Sequence, residues 1–338
     1  LLMKLIDCTY LNSPGGKKIL SILLENINEK ESNKILFLFD SRVDKKILKG
    51  YNFKIINNSE IERKRFYRSV KNDLVKCFCM ANVPPPIKLK CKVYIYFHND
   101  LILSPVKSKS LHKTIIFWLK KIYIKFINHK DYIWMVQTNM MKINLSKSLQ
   151  IKNNTILIFP IFKKYQKRDL PKKVKNSFIY VCSSENHKNL KNLILGFSKI
   201  INPDNHKITL HLTIEDPRYF KSLKGLIKND SNVFIKNHGY IEESLLHKLY
   251  SNSEFLIYPS LIESFGLPLI ECLDFNCKII ASDLPYVNEV VEPSLTFDPY
   301  SVKTISESID AAIKNCNYKP SKILINNKID KFIELIYS

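Results

Sequence analysis

The sequence predicts an α/β protein of two doubly wound, Rossmann-like domains in tandem. Short runs of β-branched and aromatic residues alternate with amphipathic stretches of helix length from end to end, a pattern typical of parallel βα units. The chain of 338 residues has room for two domains at about 100–200 residues each. The alternation also restarts after a polar, lysine-rich stretch near the middle, which indicates where the second domain begins.

In the first half, apolar runs predict strands, and helices are expected between them. The strands are Met3–Tyr10, Lys34–Asp40, Phe53–Asn57, Val93–His98, Tyr132–Val136 and Thr155–Phe159. One helix is predicted to begin at Ser59, because Ser59 and Glu62 have the spacing of a capping box, in which the two side chains satisfy backbone donors reciprocally. Another helix is predicted over residues 112–129.

The lysine-rich stretch 163–177 is predicted to be a linker between domains 1–165 and 166–319. Strands are then expected at Phe178–Cys182, Ile208–Thr213, Val233–Ile235, Phe255–Tyr258 and Lys278–Ala281. Helices are expected near 188–200, 241–251, 267–275 and 302–315. In such sheets the ligand binds outside the carboxyl ends of the strands.

The net charge of +22 is concentrated in the first half, where residues 1–160 contain 29 Lys and Arg against 11 Asp and Glu. This basic half favours an anionic partner, such as a membrane surface or a phosphate-bearing substrate. A nucleic-acid partner is not expected, because arginine, the residue preferred for base and phosphate contacts, is scarce and no zinc-finger or helix-turn-helix pattern is found.

Two further patterns bear on compartment and cofactors. There is no run of 18 uncharged apolar residues, and the opening LLMKLI is too short for a signal peptide, so neither a membrane span nor export is predicted. The eight cysteines have no C-x-x-C pairs and no interleaved histidines, which predicts reduced thiols in a cytoplasm and no metal site.

The segment 258–271, YPSLIESFGLPLIE, is the richest candidate site. A strand ends, a loop follows, and a helix begins with Pro268 in its first turn, where proline is favoured. The backbone N–H groups at this helix start can bind a phosphate or a sugar oxygen, and glycine lets the ligand approach closely. The candidate donors are Phe265, Gly266 and Leu267.

Two carboxylates of this segment, Glu263 and Glu271, are separated by seven residues. Glu271 lies among apolar neighbours, where a carboxylate needs hydrogen-bond donors, and the vicinal diol of a ribose supplies two. The alternative places Glu271 on a solvated helix face. Its pairing with Glu263 in this loop and helix favours a binding site.

With these residues in view, the sequence resembles the family 4 glycosyltransferases of the GT-B fold. The resemblance is carried by ESFGLPLIECLDFNCKIIASDLPYVNEV at 263–290 and extends to residues 186–197, 239–241, 246–260 and 297–299. It implies that the two domains face a central cleft and that 320–338 returns as a helix to the first domain.

The resemblance also implies roles for individual residues. Glu271 would bind the ribose of a nucleotide sugar, Glu263 the transferred sugar and Lys188 the diphosphate. The family often has an arginine where this chain has Ser183, so the second cation of the clamp is open, with Lys191 or a residue of the first domain as candidates.

Candidates in the first half come from a looser part of the resemblance. Gly15 and Gly16 would form a glycine-rich turn over the diphosphate, although such a pair can also be a plain turn. His98, at a strand end, would lie beside the transferred sugar, the alternative being a capping or surface residue. Gln137 and Thr138 would line the acceptor side.

The segment 107–130 contains seven lysines and no acidic residue, with bulky apolar residues between them. Such a basic amphipathic helix lies in the interface of an anionic membrane. A basic cluster is expected to extend this membrane-facing patch: Arg63, Lys64, Arg65, Arg68 and Lys71. The alternative is an ordinary helix that packs its apolar face on the sheet, and both can hold together.

The predicted activity is transfer of a hexose-type sugar, with retention, from a nucleoside-diphosphate sugar to a lipid-linked or growing cell-surface glycan. No cofactor and no metal are expected, because lysine, loop amides and a helix N-terminus neutralise phosphate charge in this fold. The enzyme is expected in the cytoplasm, peripheral on the inner face of the membrane. The alternatives are a GT-B epimerase or phosphorylase and a basic polyanion-binding protein.

Overall fold

The computed structural model describes residues 2–28, 34–103, 111–165, 169–200, 206–227, 232–314 and 318–338. The chain divides into two compact units, which we call unit 1 (Leu1–Lys163 with Asn326–Ser338) and unit 2 (Lys164–Ile325). Each unit contains a parallel sheet flanked by helices, so the predicted α/β class with two Rossmann-like domains is confirmed.

Unit 1 is built on a parallel sheet. Its strands are β1 (Met3–Asp7), β2 (Ile35–Asp40), β3 (Phe53–Ile56), β4 (Leu74–Cys79), β5 (Lys92–Tyr96), β6 (Ile133–Val136) and β7 (Ile156–Ile158). Its first helices are α1 (Pro14–Asn26), α2 (Glu60–Val70), α3 (Leu111–Ile127) and α4 (Asn139–Leu149). Within the described residues the strand order is β3-β2-β1-β4-β5-β6-β7, with the order reversing between β1 and β4.

The strands of this sheet are apolar on both faces, as parallel strands covered by helices must be. Leu5 and Ile6 of β1 illustrate the alternation, because each is fully buried in a different core cluster. One cluster includes residues of α1, and the other includes residues of α2, α3 and α4. The carboxyl ends of the strands therefore remain as the edge where loops can carry a site.

Two expectations for these elements are corrected by the structure. Strand β4, at the centre of the sheet, was not predicted, because Lys76 interrupts its apolar run. Ser59 does precede α2, but its side chain makes no capping hydrogen bond, and Glu62 instead accepts from the backbone and side-chain nitrogens of Asn57 at 2.9 and 2.7 Å. The capping box is therefore wrong.

Unit 2 repeats the architecture. Its strands are β8 (Val174–Tyr180), β9 (Ile208–Leu212), β10 (Val233–Asn237), β11 (Ser253–Tyr258), β12 (Lys278–Ser282), β13 (Val291–Glu292), β14 (Leu295–Phe297) and β15 (Lys322–Ile323). Its helices are α5 (Leu190–Ser198), α6 (Pro217–Lys224), α7 (Glu243–Asn252), α8 (Leu267–Asp274), α9 (Pro285–Asn288) and α10 (Val302–Ile313). Because β8 begins at Val174, the end of the predicted linker is strand; its residues 166–168 lie outside the described residues.

In the described part of unit 2 the main sheet has the order β10-β9-β8-β11-β12-β14, and its pairs are parallel. The order reverses between β8 and β11. A crevice opens at such a reversal, because the connections from the two strands leave toward opposite faces of the sheet. The loops after β8 and β11 are therefore the place to look for a ligand site in this unit.

The chain ends with α11 (Ile329–Tyr337), which belongs to unit 1. Phe332 of this helix is fully buried and lies edge-on to the rings of Phe78, Tyr96 and Phe159. The backbone N–H of Lys328 donates to the carbonyl of Pro160 at 2.8 Å. The last residues thus complete the core of the first unit.

Candidate functional site

In unit 2, Lys188 and Glu263 meet at the point where the strand order reverses. Lys188 follows β8 and Glu263 follows β11, and the Lys188 Nζ lies 2.5 Å from the Glu263 Oε1. The two loops are joined by a hydrogen bond from the backbone N–H of Leu261 to the carbonyl of His187 at 2.7 Å. Two residues predicted to bind the diphosphate and the sugar are thereby brought together.

The carboxylate of Glu263 is ionised and held in place. Burial raises the pKa of Glu263, but the charge and hydrogen bond of Lys188, a hydrogen bond from Ser260 and the charge of His187 outweigh it, so this pKa lies below its ordinary value. The side chains of Lys188 and Glu263 are 15% and 14% exposed. A ligand can therefore reach a pair of opposite charges that water scarcely screens.

A cluster of buried tyrosines supports this pair, and the sequence analysis did not identify it. The Tyr180 hydroxyl lies 2.7 Å from the Ser260 Oγ and donates to the carbonyl of Lys188 at 3.0 Å. The Tyr286 hydroxyl donates to the carbonyl of Ser260 at 2.7 Å. Tyr258 also hydrogen-bonds Glu263. The only sequence signal was that Tyr258 and Ser260 belong to the YPS that opens the motif.

The predicted helix start is present. Gly266 precedes α8 with a positive φ of 78°, a backbone conformation that residues with a side chain rarely adopt. A Cβ at this position would also lie 2.9 Å from the Leu269 Cδ1. Phe265 is buried and Leu267 is the first helical residue. Glycine is therefore required at the residue where the loop enters α8.

Glu271 lies on the buried side of α8, not on a solvated face. It is 7% exposed, and the Tyr250 hydroxyl of α7 donates to its Oε2 at 3.4 Å. Its neighbours Ile270 and Cys272 are fully buried. The carboxylate therefore has the scarcely hydrated setting in which hydrogen bonds to a diol are strong.

Ser183, where the resembling family often has arginine, is exposed in the loop after β8. Lys191 is exposed in the first turn of α5. His187 was not predicted as a candidate, yet it acts on Glu263 electrostatically together with Lys188. The loop that carries Lys188 thus places an imidazole near the carboxylate as well.

In unit 1, Gly15 and Gly16 lie inside the first turn of α1 and not in a loop before it. The Gly16 N–H donates to the Oγ of Ser13, the residue that caps the helix, at 3.1 Å. A Cβ at Gly16 would lie 3.2 Å from the Leu11 Cα, whereas a Cβ at Gly15 would meet nothing within 4 Å. Gly16 thus serves the packing of the loop, and Gly15 is the exposed one of the two.

His98 lies just beyond the end of β5, as predicted from the sequence. Its backbone N–H donates to the Asn82 Oδ1 at 2.6 Å, and its Nε2 lies 3.1 Å from the carbonyl of Met80. Burial lowers the pKa of His98 to about 4, against the opposing effect of the hydrogen bond to Met80. The ring is therefore neutral at pH 7 and lies against the carbonyl of Met80.

Gln137 and Thr138 follow β6, the strand next to β5. Thr138 caps α4, because its hydroxyl accepts from the N–H of Met141 at 3.1 Å. Gln137 is buried, and its Oε1 is one of two buried side-chain atoms in the described residues that have no hydrogen-bond partner. Gln137 is therefore the member of the pair with a side-chain oxygen that has no partner within the described residues.

Unit 1 contains a buried ion pair between Arg63 and Asp7, which was not predicted from the sequence. Arg63 was expected in a membrane-facing cluster, but it is 1% exposed and its Nε donates to the Asp7 Oδ2 at 2.8 Å. The Tyr67 hydroxyl donates to the same oxygen at 2.7 Å, and the Thr9 N–H donates to Oδ1 at 3.0 Å. The assignment of Arg63 to a surface patch is therefore wrong.

Helix α3 packs on the sheet and also presents apolar side chains to solvent. Ile124 and Ile127 are buried, whereas Trp118 and Phe126 are 60% and 84% exposed. Trp118 and Phe126 lie along one side of the helix with three further exposed apolar residues: Ile115, Leu119 and Ile122. Residues 107–110 of the predicted segment lie outside the described residues, as does the Lys113 side chain. The expectation that this helix packs on the sheet is confirmed, and its contact with a membrane stays a prediction.

Within the described ranges, no group of three or more His, Cys, Asp or Glu is placed to hold a metal ion. No helix in them is long and apolar enough to cross a membrane. The described cysteines are unpaired thiols, and all but Cys91 are buried; Cys316 lies outside these ranges.

Residues 162–331, half of the chain, match the family described as glycosyl transferases group 1. The O-antigen chain mannosyltransferase RfbU of Salmonella typhimurium is 27% identical over 228 residues, which are 64% of this chain and 61% of that protein. The O-antigen chain mannosyltransferase B of Escherichia coli is 25% identical over 145 residues, 42% of this chain and 38% of that protein. The chain thus spans about three fifths or less of these relatives.

Three solved structures resemble this one. The lipopolysaccharide outer core galactosyltransferase WaaB has a TM-score of 0.61 at 13% identity over 100% of this chain and 95% of that one. Anabaena HepE, solved with UDP and glucose, has a TM-score of 0.66 at 11% identity over 93% and 90%. A glycosyltransferase from Rickettsia africae has a TM-score of 0.66 at 13% identity over 99% and 92%. These similarities confirm the predicted GT-B fold.

Proposed function

Because the chain belongs to the glycosyl transferases group 1 family, we propose that it transfers a hexose-type sugar from a nucleoside-diphosphate sugar to a lipid-linked or growing glycan. The observation that carries this proposal is the ion pair of Lys188 and Glu263 at the strand-order reversal of unit 2, immediately before the start of α8. One cation and one carboxylate in that position suit a ligand that carries both a phosphate and hydroxyl groups.

In this proposal the leaving group is the nucleoside diphosphate. Lys188 binds this diphosphate. The backbone N–H groups of Phe265, Gly266 and Leu267, at the positive end of α8, also attract it, and Gly266 permits its close approach. Stabilisation of the charge that develops on the phosphate is the main source of rate acceleration. His187, in the same loop as Lys188, takes the place of the missing arginine at Ser183.

The sugar and the nucleoside are bound by the two carboxylates. Glu271 accepts the hydroxyl protons of the ribose in hydrogen bonds, and Glu263 does the same for the transferred sugar. His98, whose ring is neutral, contacts the sugar as its oxocarbenium character builds. Gly15 contributes to diphosphate binding, with Gly16 packed beside it in the first turn of α1, and Gln137 accepts from the acceptor substrate.

We further propose that the reaction retains the anomeric configuration and needs no metal ion. Support for metal independence is that lysine and helix amides at this site can neutralise diphosphate charge without a divalent cation. Activity in EDTA equal to activity in its absence is the expected result. Activity restored only by manganese contradicts it. Retention is checked from the anomeric proton coupling of the product by NMR.

The acceptor that we propose is of the O-antigen or lipopolysaccharide type, since the two relatives reported above are named O-antigen chain mannosyltransferases. Such an acceptor is anchored in lipid, so the enzyme works at a membrane surface, which we place at the cytoplasmic face. Support comes from the exposed apolar side of α3, where lysines stand beside the apolar stripe: Lys120, Lys121 and Lys125. Apolar insertion and attraction to anionic lipid then act together.

Nucleotide binding is the first test of the proposal. Thermal unfolding is followed with UDP, GDP, CDP, ADP and dTDP, because a ligand at about 100 times its Kd stabilises by about 2.7 kcal/mol and raises the Tm by several degrees. One of the five is expected to stabilise the wild type and not Glu271→Ala. The matched control is Glu307→Ala, an exposed carboxylate of α10 in the same unit, which keeps the shift.

The membrane surface is tested separately by vesicle sedimentation. We expect binding to vesicles that contain phosphatidylglycerol, weakening of that binding by salt, and loss of it in the double variant Trp118→Ser, Phe126→Ser. Ile143→Ser is the control, because Ile143 is an exposed apolar residue of the neighbouring helix α4. Equal binding to neutral phosphatidylcholine vesicles, or no binding at all, contradicts the proposal.

A further inference from the structure

We propose that the ion pair of Lys188 and Glu263 makes the site discriminate the intact nucleotide sugar from the nucleoside diphosphate that remains after transfer. The inference rests on the proposed function, in which Lys188 binds the diphosphate and Glu263 the sugar. It adds that each residue is the other's partner when no donor is bound, so that the two halves of the ligand are recognised together.

Hydrogen bonds from buried tyrosines hold the backbone on both sides of the ion pair. The Lys188 backbone is fixed by the Tyr180 hydroxyl on its carbonyl, and the loop of Glu263 is fixed by the Tyr286 hydroxyl on the carbonyl of Ser260. Tyr180 joins the two sides through its 2.7 Å contact with the Ser260 Oγ. Only the two side chains can adjust when a ligand enters.

A diphosphate that binds Lys188 draws its ammonium group away from Glu263. The carboxylate then remains in a scarcely hydrated position without its cation, and the nearby phosphate adds a second negative charge. Removing one partner of a buried ion pair is costly, because the remaining charge is no longer compensated. A nucleoside diphosphate alone therefore binds against this penalty.

An intact nucleotide sugar brings its own compensation. The hydroxyl groups of the sugar are hydrogen-bond donors, and one that donates to Glu263 satisfies the oxygen that Lys188 has left. The penalty is then offset for the substrate and not for the product. The pair thus favours entry of the donor and departure of the spent diphosphate.

The buried pair of Asp7 and Arg63 shows what a purely structural ion pair looks like in this protein. Its side chains are 1% exposed, and the Asp7 oxygens are hydrogen-bonded by Arg63, Tyr67 and Thr9. Lys188 and Glu263 are more accessible and lie in loops at the strand-order reversal, where ligands bind in this kind of sheet. That placement favours a pair that opens for a ligand.

The test measures two affinities in each variant by calorimetry. The probes are the diphosphate that stabilises the wild type in the five-nucleotide screen and its glucose and mannose esters. Glu263→Gln keeps the shape and one acceptor oxygen but removes the charge, so Lys188 loses its ionic partner. We expect the diphosphate to bind about tenfold more tightly, and the preference for the nucleotide sugar over the diphosphate to fall by a similar factor.

A matched control is Glu254→Gln, which removes the charge of another carboxylate of unit 2 that pairs with a lysine, Lys278, at 3.4 Å. It should leave both affinities and their ratio unchanged. Lys188→Ala should weaken the diphosphate and the nucleotide sugar alike. Melting curves of each variant verify that it is folded before its affinities are compared.

The outcomes separate this inference from the function on which it rests. If the wild type binds none of the five nucleotides or their sugar esters, the proposed function fails. If it binds them but Glu263→Gln leaves the diphosphate affinity unchanged or lower, the discrimination is overturned and nucleotide binding stands. If Lys188→Ala binds the diphosphate as the wild type does, the inference fails at its first step.

Discussion

The two units place an ion pair at the same point of similar sheets and use it differently. In unit 1, Asp7 at the end of β1 is sealed by Arg63, Tyr67 and Thr9. In unit 2, Lys188 and Glu263 lie in the loops that follow β8 and β11 and are reached by solvent. Exposure and the number of protein partners, more than the pairing itself, distinguish a pair that holds the fold from a pair that can bind a ligand.

The comparison also bears on what a basic sequence means. Arg63 stands in the run RKRFYR, where its neighbours Lys64 and Arg65 are exposed, yet it is among the largest fully buried side chains of the described residues. It links α2 to β1 across 56 residues of sequence. A positive charge read from composition can therefore be internal, and only the exposed part of it contributes to a surface.

The largest expected effect is on unit 1. Arg63→Met should cost about 3–5 kcal/mol of unfolding free energy, because Asp7 would stay buried without its cation. Trp118 and Trp134 are the two tryptophans of the chain and both lie in unit 1, so their fluorescence during urea unfolding reports this unit. Arg65→Met, an exposed arginine of the same helix, should change the midpoint little. A small effect at Arg63 would remove the distinction between the two pairs.

A smaller effect is expected from pH, again in unit 1. The pKa of His98 is lowered to about 4, from about 6.5 for an ordinary histidine. As the pH falls from about 6.5 to about 4, the unfolded chain binds a proton that the native ring does not, so native stability decreases. This part of the pH dependence should be absent in His98→Gln. The unfolding free energy that the wild type loses between pH 7 and pH 4 should therefore exceed the loss in the variant by about 1–3 kcal/mol. Parallel urea titrations of the two proteins at pH 7 and pH 4, read by tryptophan fluorescence, measure it.

The smallest effect is expected at the accessible pair. Lys188→Met should cost about 1–2 kcal/mol of stability, less than Arg63→Met, because Glu263 is partly exposed and keeps its hydrogen bond from Ser260. Hydrogen exchange by mass spectrometry on peptides of β8 and β11 gives a readout confined to unit 2. A loss as large as that of Arg63→Met would mean that the pair is structural, and the comparison would break.

Much of the fold follows from local patterns, and so does the unit 2 site. The run from Tyr258 to Glu271 contains the strand end, the glycine with positive φ and the helix within fourteen consecutive residues, so the sequence alone carries its conformation. Glu271 was predicted in an apolar neighbourhood and is buried there. Its binding role stays a prediction.

What the sequence could not supply depends on partners that are distant in the chain. The link from Asp7 to Arg63 and the tyrosine cluster around Ser260 join residues that no local spacing relates. Asn82, which holds the backbone of His98, lies in a loop and carries no distinguishing pattern. Strand β4 was not predicted because a lysine interrupts its short apolar run, and its position at the centre of the sheet is set by residues distant in sequence.

The return of α11 to unit 1 has a consequence for how the protein is made. Unit 1 is discontinuous in sequence, because residues 164–325 separate its main part from Asn326–Ser338. Phe332 fills a place among the aromatic rings of Phe78, Tyr96 and Phe159, yet it is translated after the whole of unit 2. The first unit therefore begins to fold during synthesis and completes its core only after the second has been translated.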